Sequence, residues 1–495
     1  MMYNQVMETV YFVGIKGTGV CALAELMYNA GIRVSGSDTP EEFYTDAILK
    51  ELKIPYHVEF DAAHINTDIN MVIHSAAYSV DSNPELAKAM QLKIPILKYP
   101  EALGAWSSRF DSSGICGVHG KTTTTALAGV CARAAGIPAQ ILVGSAVADF
   151  GGRSTLTLGD KFFIAETCEY RKHFLEFHPK TIILTSVESD HQDYFSDYES
   201  IRDAFVEYCR LLPPGGKLIY CADDPGASEV AKVIKQDGKA ALIPYGFNAA
   251  GDYKITSYDV KDEKIIFALA GFQGVFKLQI PGRHQVLNAA AAIALTLSLI
   301  KKEFNTDVLD SIRTALENFI GTKRRSEIIG KSSLKNGDII FMDDYGHHPT
   351  AIKTTLAGLK SFYPARRIIV SFMSHTYTRT YSLLDDFAAA LCGADVLFLH
   401  KIYASARESF SGKISGRDLY EKTKALFNNH NGLTASPEQS NDLTDGVFYI
   451  EEPDDAFDLL CELLRPGDLF ITIGAGNNWS LGKKLYSYFK GKNYD

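Results

Sequence analysis

The sequence predicts an α/β protein made of three tandem domains, each built on a parallel sheet. Short β-rich runs alternate with apolar-periodic helical segments along the chain, which is the pattern of βαβ units. Two of these runs lead into glycine-rich loops that open a helix, at 14–19 and 117–122. The alternation restarts in the last third of the chain. A length of 495 residues is typical of two to four domains. Together with the restart of the alternation, it predicts domains over 1–110, 111–322 and 323–495.

Composition excludes several classes of function. The net charge of −9 gives no bulk electrostatic support to nucleic-acid binding or to an anionic membrane surface. The N-terminus MMYNQVMETV is too polar for a signal peptide, and no apolar run reaches the roughly 18 residues of a membrane span. The eight scattered cysteines form no C-x-x-C pair, which favours reduced thiols. We therefore expect a cytoplasmic protein without membrane insertion.

The first domain begins with the β-rich run VYFVGI, followed by a helix and a second strand that ends at Asp38. Its loop GIKGTG places Gly14, Gly17 and Gly19 in a G-x-x-G-x-G spacing that resembles a dinucleotide fingerprint. Asp38 follows about 20 residues later, where an acidic ribose ligand lies in a Rossmann unit. The domain is therefore predicted to be Rossmann-like with a nucleotide-bearing ligand, although simple turn packing explains the glycines equally well.

The middle domain opens with the strand GICGV and the loop GVHGKT, which leads into a helix. Backbone N–H groups at a helix N-terminus point towards an anion, and the helix dipole adds to the attraction. We expect Lys121 to neutralise phosphates and the Thr122 hydroxyl to reach Mg²⁺. The strict phosphate-loop pattern requires glycine at 115, where Ile115 stands. The context nevertheless predicts a P-loop ATPase domain.

Polar side chains end two later strands of the middle domain, KFFIAE and KTIILTSV. Glu166 ends the first, and the segment 188–191 follows the second. Ligands of open α/β sheets bind at this carboxyl edge, so Glu166 and His191 are candidate metal ligands near the phosphate loop. A polar turn is the alternative for His191.

The C-terminal domain is predicted from strands such as DIIFMDDYG, RRIIVSF, ADVLFLH and DLFITIGAG, with helices between them. Arg324 and Arg325 precede this pattern and are either ligands or a solvated charge pair at a linker. The dipeptide His347-His348 precedes Pro349 and is either functional or a helix cap.

Five ordered blocks together resemble the ATP-dependent Mur ligases of peptidoglycan synthesis. They are GVHGKTTTT, AETCEY with LTSVESDH, PGRHQVLNAAAA, FIGTKRRSE and DDYGHHPTAI. The segments SGSD, HSAAYSVDSNPEL, HTYTRT and GAGN are similar to the branch that joins L-alanine to UDP-N-acetylmuramate. The resemblance implies a UDP-sugar domain, a central ATPase and a C-terminal Rossmann-like domain near the incoming amine. It also implies that ATP phosphorylates a carboxylate and that an amine then attacks the acyl phosphate.

The resemblance also implies roles for residues at matching positions, with ATP and Mg²⁺ as cofactors. The implied ATP contacts are Gly117, His119, Gly120, Lys121, Thr122, Thr123, Gln285, Asn288, Arg324 and Arg325. The implied metal ligands are Thr122, Glu166 and His191. The implied UDP-sugar contacts are Gly14, Gly17, Thr18, Gly19, Asp38, Ser75 and Asn83, and the implied contacts of the incoming amine are His348, His375 and Arg379. The residues implied to act in catalysis are Lys121, Glu166, His191, Arg325 and His348.

Four positions depart from the family pattern. Thr167 and Cys168 replace the usual Ala-Asp of the acidic block, and Gln285 replaces an asparagine. Thr376 stands where an arginine is common beside the amino-acid carboxylate. Because a bidentate carboxylate fork is lost there, the acceptor is open between L-alanine, another amino acid and a preformed murein peptide.

Two hypotheses from other classes of function stand beside the ligase. One is a nucleotide-binding regulator without ligase activity, which the retained Lys121, Thr122, Glu166 and His191 disfavour. The other is an NAD-dependent oxidoreductase, which leaves the GKTTTT segment unexplained. We expect a monomer or a homodimer whose C-terminal domain closes over ATP.

Overall fold

The computed structural model describes residues 8–300, 305–404, 408, 412–430 and 446–491. In these ranges the chain forms three α/β domains in sequence, and the predicted fold class is confirmed. No helix in the described ranges is long and apolar enough to cross a bilayer.

The N-terminal domain has a five-stranded parallel sheet in the order β3-β2-β1-β4-β5. Its strands are β1 (Thr9–Val13), β2 (Arg33–Ser37), β3 (Tyr56–His57), β4 (Met71–His74) and β5 (Ile96–Lys98). Its helices are α1 (Thr18–Asn29), α2 (Thr45–Glu51), α3 (Pro84–Gln91) and α4 (Tyr99–Ser107). The strand order is that of a Rossmann fold without its sixth strand, so the order reverses between β1 and β4, beside the first glycine-rich loop.

The middle domain has a seven-stranded sheet in the order β12-β11-β10-β6-β9-β7-β8. Its strands are β6 (Asp111–Cys116), β7 (Ala139–Val147), β8 (Arg153–Thr157), β9 (Phe162–Glu166), β10 (Thr181–Leu184), β11 (Lys217–Cys221) and β12 (Ala241–Tyr245). Its helices are α5 (Lys121–Ala134), α6 (Tyr198–Cys209), α7 (Pro225–Asp237), α8 (Arg283–Ile300) and α9 (Thr306–Asn318). Because β6 lies between β10 and β9, its loop is flanked by the ends of both strands.

A small antiparallel sheet is also part of the middle domain, formed by β13 (Ile255–Lys261), β14 (Lys264–Leu269) and β15 (Phe276–Leu278). The sequence prediction contained only parallel sheets, and this element was missed. The hairpin turns on Asp262 and Glu263, both with positive φ. The signal for such a turn is usually Asn-Gly or Asp-Gly, which this hairpin lacks.

The C-terminal domain has a six-stranded sheet in the order β16-β17-β21-β18-β19-β20, in which only β16 is antiparallel to its neighbour. Its strands are β16 (Glu327–Leu334), β17 (Gly337–Asp344), β18 (Arg367–Phe372), β19 (Val396–Leu399), β20 (Gly446–Tyr449) and β21 (Asp468–Ile473). Its helices are α10 (Pro349–Phe362), α11 (Tyr377–Ser382), α12 (Leu384–Leu391), α13 (Gly416–His430), α14 (Phe457–Leu463) and α15 (Trp479–Gly491).

Apolar packing continues across both domain boundaries. One buried cluster joins the N-terminal and middle domains, and another joins the middle and C-terminal domains. Polar contacts reinforce the first boundary, where Trp106 Nε1 donates to Gln140 Oε1 at 3.0 Å and Arg153 pairs with Glu25 and Glu51. The middle domain is thereby packed against both of its neighbours.

Candidate active site

The loop between β6 and α5 takes a shape that glycine makes possible. Gly117 and Gly120 have φ angles of 129° and 82°, in the left-handed region. A Cβ at Gly117 would lie 2.1 Å from Thr185 Oγ1, and one at Gly120 would lie 2.6 Å from Asn288 Oδ1. The backbone therefore lies close against its neighbours, and α5 begins at Lys121 with its N-terminus directed at the cavity edge.

Lys121 is held by a buried carboxylate. Its Nζ lies 2.9 Å from Glu169 Oε1 and also donates to the Gly117 carbonyl. Burial by itself lowers the pKa of Lys121, but the Glu169 carboxylate raises it above its ordinary value. For Glu169 burial raises the pKa, and Lys121 together with His191 brings it below the ordinary value. Lys121 is therefore a fixed positive charge at the loop.

Thr122 and Glu166 bring two oxygens together beside the same loop. Thr122 Oγ1 donates to Glu166 Oε1 at 3.2 Å, and the Gly144 N–H donates to Glu166 Oε2 at 2.9 Å. Hydroxyl and carboxylate oxygens are ligands that Mg²⁺ prefers. The Oε2 atom of Glu169 is buried without a hydrogen-bond partner in the described part of the chain, as an atom that meets a cation or ordered water would be. The donor set fits Mg²⁺.

His191 lies on the other side of Glu169. Its Nε2 is 3.6 Å from Glu169 Oε1 and 3.8 Å from Asp190 Oδ2. Its backbone has φ 54°, an uncommon value for a residue with a side chain. The structure thus brings His191 and Glu166 to the same sheet edge. Glu169 lies in contact with both His191 and Lys121.

Gln285 and Asn288 start helix α8 next to the loop. Asn288 Oδ1 accepts from Thr124 Oγ1 at 3.2 Å, and its Nδ2 donates to Gln285 Oε1 at 3.0 Å. Gln285 also contacts His284, whose pKa burial lowers to about 4. These amides therefore lie against Gly120 and the first turn of α5.

The two adjacent arginines before β16 have different surroundings. Arg324 is anchored inside the C-terminal domain, where Nε donates to Asp343 Oδ2 at 2.9 Å and Nη2 donates to the Gly474 carbonyl at 2.6 Å. Arg325 instead reaches the middle domain, with Nη2 3.5 Å from Thr122 Oγ1. Of the pair, Arg325 is the one whose guanidinium faces the loop.

Two carboxylates after β10 accept hydrogen bonds from the C-terminal domain. Asp190 accepts from Arg379, and Glu188 Oε1 accepts from Thr350 Oγ1 at 2.6 Å. Glu188 Oε2 lies 2.8 Å from His119 Nε2 and 3.9 Å from His348 Nδ1. The segment 188–191 therefore touches both the β6–α5 loop and the start of α10.

A cavity of about 890 Å³ lies between the middle and C-terminal domains. The predicted site residues on its wall are His119, Gly120, Lys121, Thr122, Thr123, His191, Gln285, Asn288, Arg325, His348, His375 and Arg379. One cavity thus gathers cations, amides and imidazoles from separate segments of both domains, which suits a polyanionic ligand and a second, smaller one.

Models of three domains match the chain in order. The Mur ligase middle domain matches residues 115–296, the Mur ligase family catalytic domain matches 9–111, and the Mur ligase glutamate ligase domain matches 324–476. A protein of Treponema pallidum (strain Nichols) is 48% identical over 97% of this chain and 96% of its own length. The chain belongs to the Mur ligase family.

That relative carries the name UDP-N-acetylmuramate–L-alanine ligase. A protein of Borreliella burgdorferi with the same name is 38% identical over 96% of this chain and 98% of its own length. Two solved structures share the Mur ligase fold at low identity. The UDP-N-acetylmuramate-alanine ligase MurC of Thermotoga maritima has a TM-score of 0.74 at 23% identity, covering 97% and 99% of the chains. A murein peptide ligase of Psychrobacter arcticus has 0.62 at 21%, covering 99% and 100%.

Gly117, Glu166 and Arg324 lie beside the cavity without lining its wall, whereas the predicted UDP-sugar residues of this Mur ligase lie in the N-terminal domain. A Cβ at Gly14 would lie 2.8 Å from Tyr78 and 3.0 Å from Ser75, and one at Gly19 would lie 2.8 Å from Tyr99. Gly17 precedes Thr18, the first residue of α1. Gly14 and Ser75 thus lie at a second sheet edge, formed by the carboxyl ends of β1 and β4.

Two residues of that edge have structural partners. The Asp38 carboxylate accepts from the N–H groups of Lys16 at 2.7 Å and Thr39 at 2.8 Å. Asn83 caps α3, where Oδ1 accepts from the N–H groups of Glu85 and Leu86. Both side chains therefore shape the loops of the edge, and any ligand contact would come in addition.

Sequence reasoning left out three carboxylates that organise the cavity, namely Glu169, Glu188 and Asp190. Glu169 was visible as the second acid of the block AETCEY, and the other two lie in VESDH beside His191. Their partners come from distant segments, so only the spatial arrangement gives them a role.

Proposed function

We propose that this chain is an ATP-dependent ligase that joins L-alanine to the carboxylate of UDP-N-acetylmuramate. The observation that carries the proposal is the contact set of the β6–α5 loop, here called the nucleotide loop. In this set Lys121 pairs with Glu169, while Thr122 contacts both Glu166 and Arg325. Whole-length similarity to proteins that carry this name supports the choice of substrates. Because ATP and UDP-N-acetylmuramate are both nucleotides, we expect the chain to act in the cytoplasm. We also expect it to be a monomer or a homodimer.

In this proposal the loop binds the triphosphate of ATP. The N–H groups at the start of α5 and the Lys121 ammonium meet the phosphate oxygens, while Asn288 and Gln285 contact the adenine. The carboxylate of the acid substrate attacks the γ-phosphorus, the bond to ADP breaks, and an acyl phosphate forms. Lys121 and Arg325 stabilise the negative charge that the phosphoryl group carries during this transfer.

Thr122 and Glu166 would hold Mg²⁺, with His191 completing the set directly or through water. When bound, the ion supplies positive charge that offsets repulsion between the phosphate and the attacking carboxylate. The protein contributes the positions of the donors: Gly144 fixes the Glu166 carboxylate, and α5 fixes Thr122.

The amine then attacks the acyl carbon, and inorganic phosphate leaves. The amine must lose a proton, and the C-terminal domain lines the cavity with His347, His348 and His375, of which we propose the last two as acceptors. Burial lowers the pKa of both, to about 4 for His375, so both are neutral near pH 7. A neutral imidazole can accept a proton.

The acceptor carboxylate is proposed to meet Arg379. Asp190 occupies Nε and Nη2 of this guanidinium, and Nη1 lies 3.5 Å from His375 Nδ1. Thr376 supplies no positive charge and has φ 68°, which is strained for a β-branched residue. Because only Nη1 of this one guanidinium is left for a carboxylate, the site suits a small amino acid, whereas the missing fork at Thr376 keeps a preformed peptide as the alternative.

An acceptor screen tests the proposal. L-alanine, L-serine, glycine and the tripeptide L-Ala-γ-D-Glu-diaminopimelate are offered with ATP and UDP-N-acetylmuramate, and phosphate release is measured. We expect L-alanine to have the highest kcat/KM. A higher value for the tripeptide would replace L-alanine with a peptide acceptor. Absence of phosphate release with every amine, despite binding of ATP, would support a regulator without ligase activity.

A further inference from the structure

Three side chains outside the proposed Mg²⁺ set meet at the boundary between the middle and C-terminal domains. His119 comes from the nucleotide loop, Glu188 from the segment after β10, and His348 from the residue that precedes α10. One ligand atom from each of these residues lies within 4.8 Å of the other two. No other group of three such side chains in the described ranges is placed to hold an ion.

The distances suit a small tetrahedral ion. Bonds of about 2.0–2.1 Å at tetrahedral angles put ligand atoms about 3.3 Å apart. Glu188 Oε2 lies 2.8 Å from His119 Nε2 and 3.9 Å from His348 Nδ1, which are values on either side of that spacing. The imidazole centroids of His119 and His348 are 5.2 Å apart. Small side-chain rotations therefore suffice to surround an ion.

His348 has coordinating capacity that the protein leaves unused. The residue is 5% exposed, and its Nε2 is buried without a hydrogen-bond partner in the described part of the chain. Its Nδ1, 3.9 Å from Glu188 Oε2, accepts a long hydrogen bond of 3.4 Å from the Thr350 N–H as the N-cap of α10. A metal ion at Nδ1 would replace this weak bond, with the imidazole proton kept on Nε2.

Glu188 is oriented as a ligating carboxylate. Its Oε1 accepts the short hydrogen bond from Thr350 Oγ1, which leaves Oε2 directed at the two imidazoles. Support of this kind from a second residue is typical of metal-bound carboxylates. The residue is 37% exposed at its side chain, so an ion can enter from the cavity.

We propose that His119, Glu188 and His348 form a binding site for a divalent transition-metal ion such as Zn²⁺. Two nitrogens and one carboxylate oxygen suit Zn²⁺ or Co²⁺, whereas Mg²⁺ prefers the oxygen pair of Thr122 and Glu166. Such an ion would bridge the nucleotide loop to the start of α10, so it would fasten the C-terminal domain onto the middle domain. The proposal applies to the nucleotide-free protein, in which His348 is a metal ligand, so proton acceptance from the amine falls to His375.

The test uses Co²⁺ as a spectroscopic probe on the full-length, nucleotide-free protein. We expect one Co²⁺ per chain with visible absorption of the tetrahedral type, displaced by Zn²⁺ and not by excess Mg²⁺. Glu188→Gln and His119→Gln should each weaken Co²⁺ binding at least about 10-fold. Both residues are partly exposed, so these variants are informative even if His348→Gln fails to fold.

Two matched variants distinguish this site from Co²⁺ binding elsewhere on the chain. His178→Gln removes an exposed imidazole of the same domain and should leave Co²⁺ binding unchanged. Glu166→Gln alters the proposed Mg²⁺ set and should also leave it unchanged. No visible band, a band that survives Glu188→Gln and His119→Gln, or displacement by Mg²⁺ would overturn the proposal. Each of these results would leave the ligase proposal standing, because that is judged by phosphate release.

Discussion

Asp190, at the carboxyl edge of the middle sheet, accepts two hydrogen bonds from Arg379 of the C-terminal domain. Nη2 lies 2.7 Å and Nε lies 3.1 Å from the same carboxylate oxygen. Burial alone would raise the pKa of Asp190, but the Arg379 guanidinium holds it well below its usual range. Both side chains are almost fully buried, so loss of either partner leaves an uncompensated charge and costs about 3–5 kcal/mol. The pair therefore favours the arrangement in which the two domains are closed.

Replacement of Asp190 by asparagine is expected to open the protein. The charge-assisted hydrogen bonds are lost while the shape is kept, so the balance should move towards the open arrangement by about 100- to 1000-fold. Small-angle scattering of the ligand-free protein should show a larger radius of gyration. Glu229→Gln, a carboxylate of the same domain away from the boundary, is the control. Superimposable profiles for Asp190→Asn and the parent chain would contradict a latching role.

Lys121→Ala is expected to reduce ATP-dependent phosphate release at least about 100-fold. The change removes a preorganised positive charge at the point where phosphoryl charge develops. Lys180→Ala, which removes an exposed lysine of the same domain, should retain normal turnover. Circular dichroism of both variants checks folding, because Lys121→Ala leaves the buried Glu169 without its cation. Near-normal turnover in the Lys121 variant would rule out its phosphate role.

Glu166→Gln is expected to raise the Mg²⁺ concentration for half-maximal activity by about 10-fold or more. His191→Ala should raise it by a smaller factor, because its Nε2 lies beside Glu169 and Asp190 rather than against the Thr122–Glu166 oxygens. A Mg²⁺ titration of phosphate release measures both effects, with Glu207→Gln as an exposed carboxylate control. Unchanged titration midpoints in both variants would argue against metal binding at this edge.

Acid is expected to destabilise the C-terminal domain partly through His400. This imidazole is 2% exposed, lies between Ser371 Oγ and the Ile450 carbonyl, and has its pKa lowered by burial to about 4. The unfolded chain has the ordinary value of about 6.5, so it binds more protons between these two pH values. Stability is therefore complete above about pH 6.5 and falls towards pH 4, by at most about 1.4 kcal/mol per pH unit for this group.

Urea unfolding between pH 7 and pH 5 measures this dependence. His400→Gln should show a shallower loss of the free energy of unfolding with falling pH, whatever its stability at pH 7. His178→Gln, which changes an exposed imidazole, should follow the parent chain. Parallel curves for His400→Gln and the parent chain would show that His400 does not carry the effect.

The local sequence contained the signals for the elements that frame the cavity. The strand-loop-helix order around GVHGKT predicted β6 and α5, and Glu166 was predicted at the end of its strand, where β9 ends. The added antiparallel strands β8 and β16 were not predicted, because an alternating pattern does not reveal the direction in which an edge strand pairs. The role of Asn83 as a helix cap was visible only once its hydrogen bonds to α3 were known.

The sequence by itself determined the fold class, the position of the glycine-rich loop before α5 and the residue types proposed to face a phosphate, because these depend on local spacing and on glycine, lysine and threonine at fixed offsets. The tertiary structure decided which distant groups meet: Lys121 with Glu169, Asp190 with Arg379, and Glu188 with two imidazoles. It also separated Arg325 from Arg324 as the arginine at the loop. These pairings join segments far apart in the chain, and only the packing of two domains brings their charges within a few ångströms.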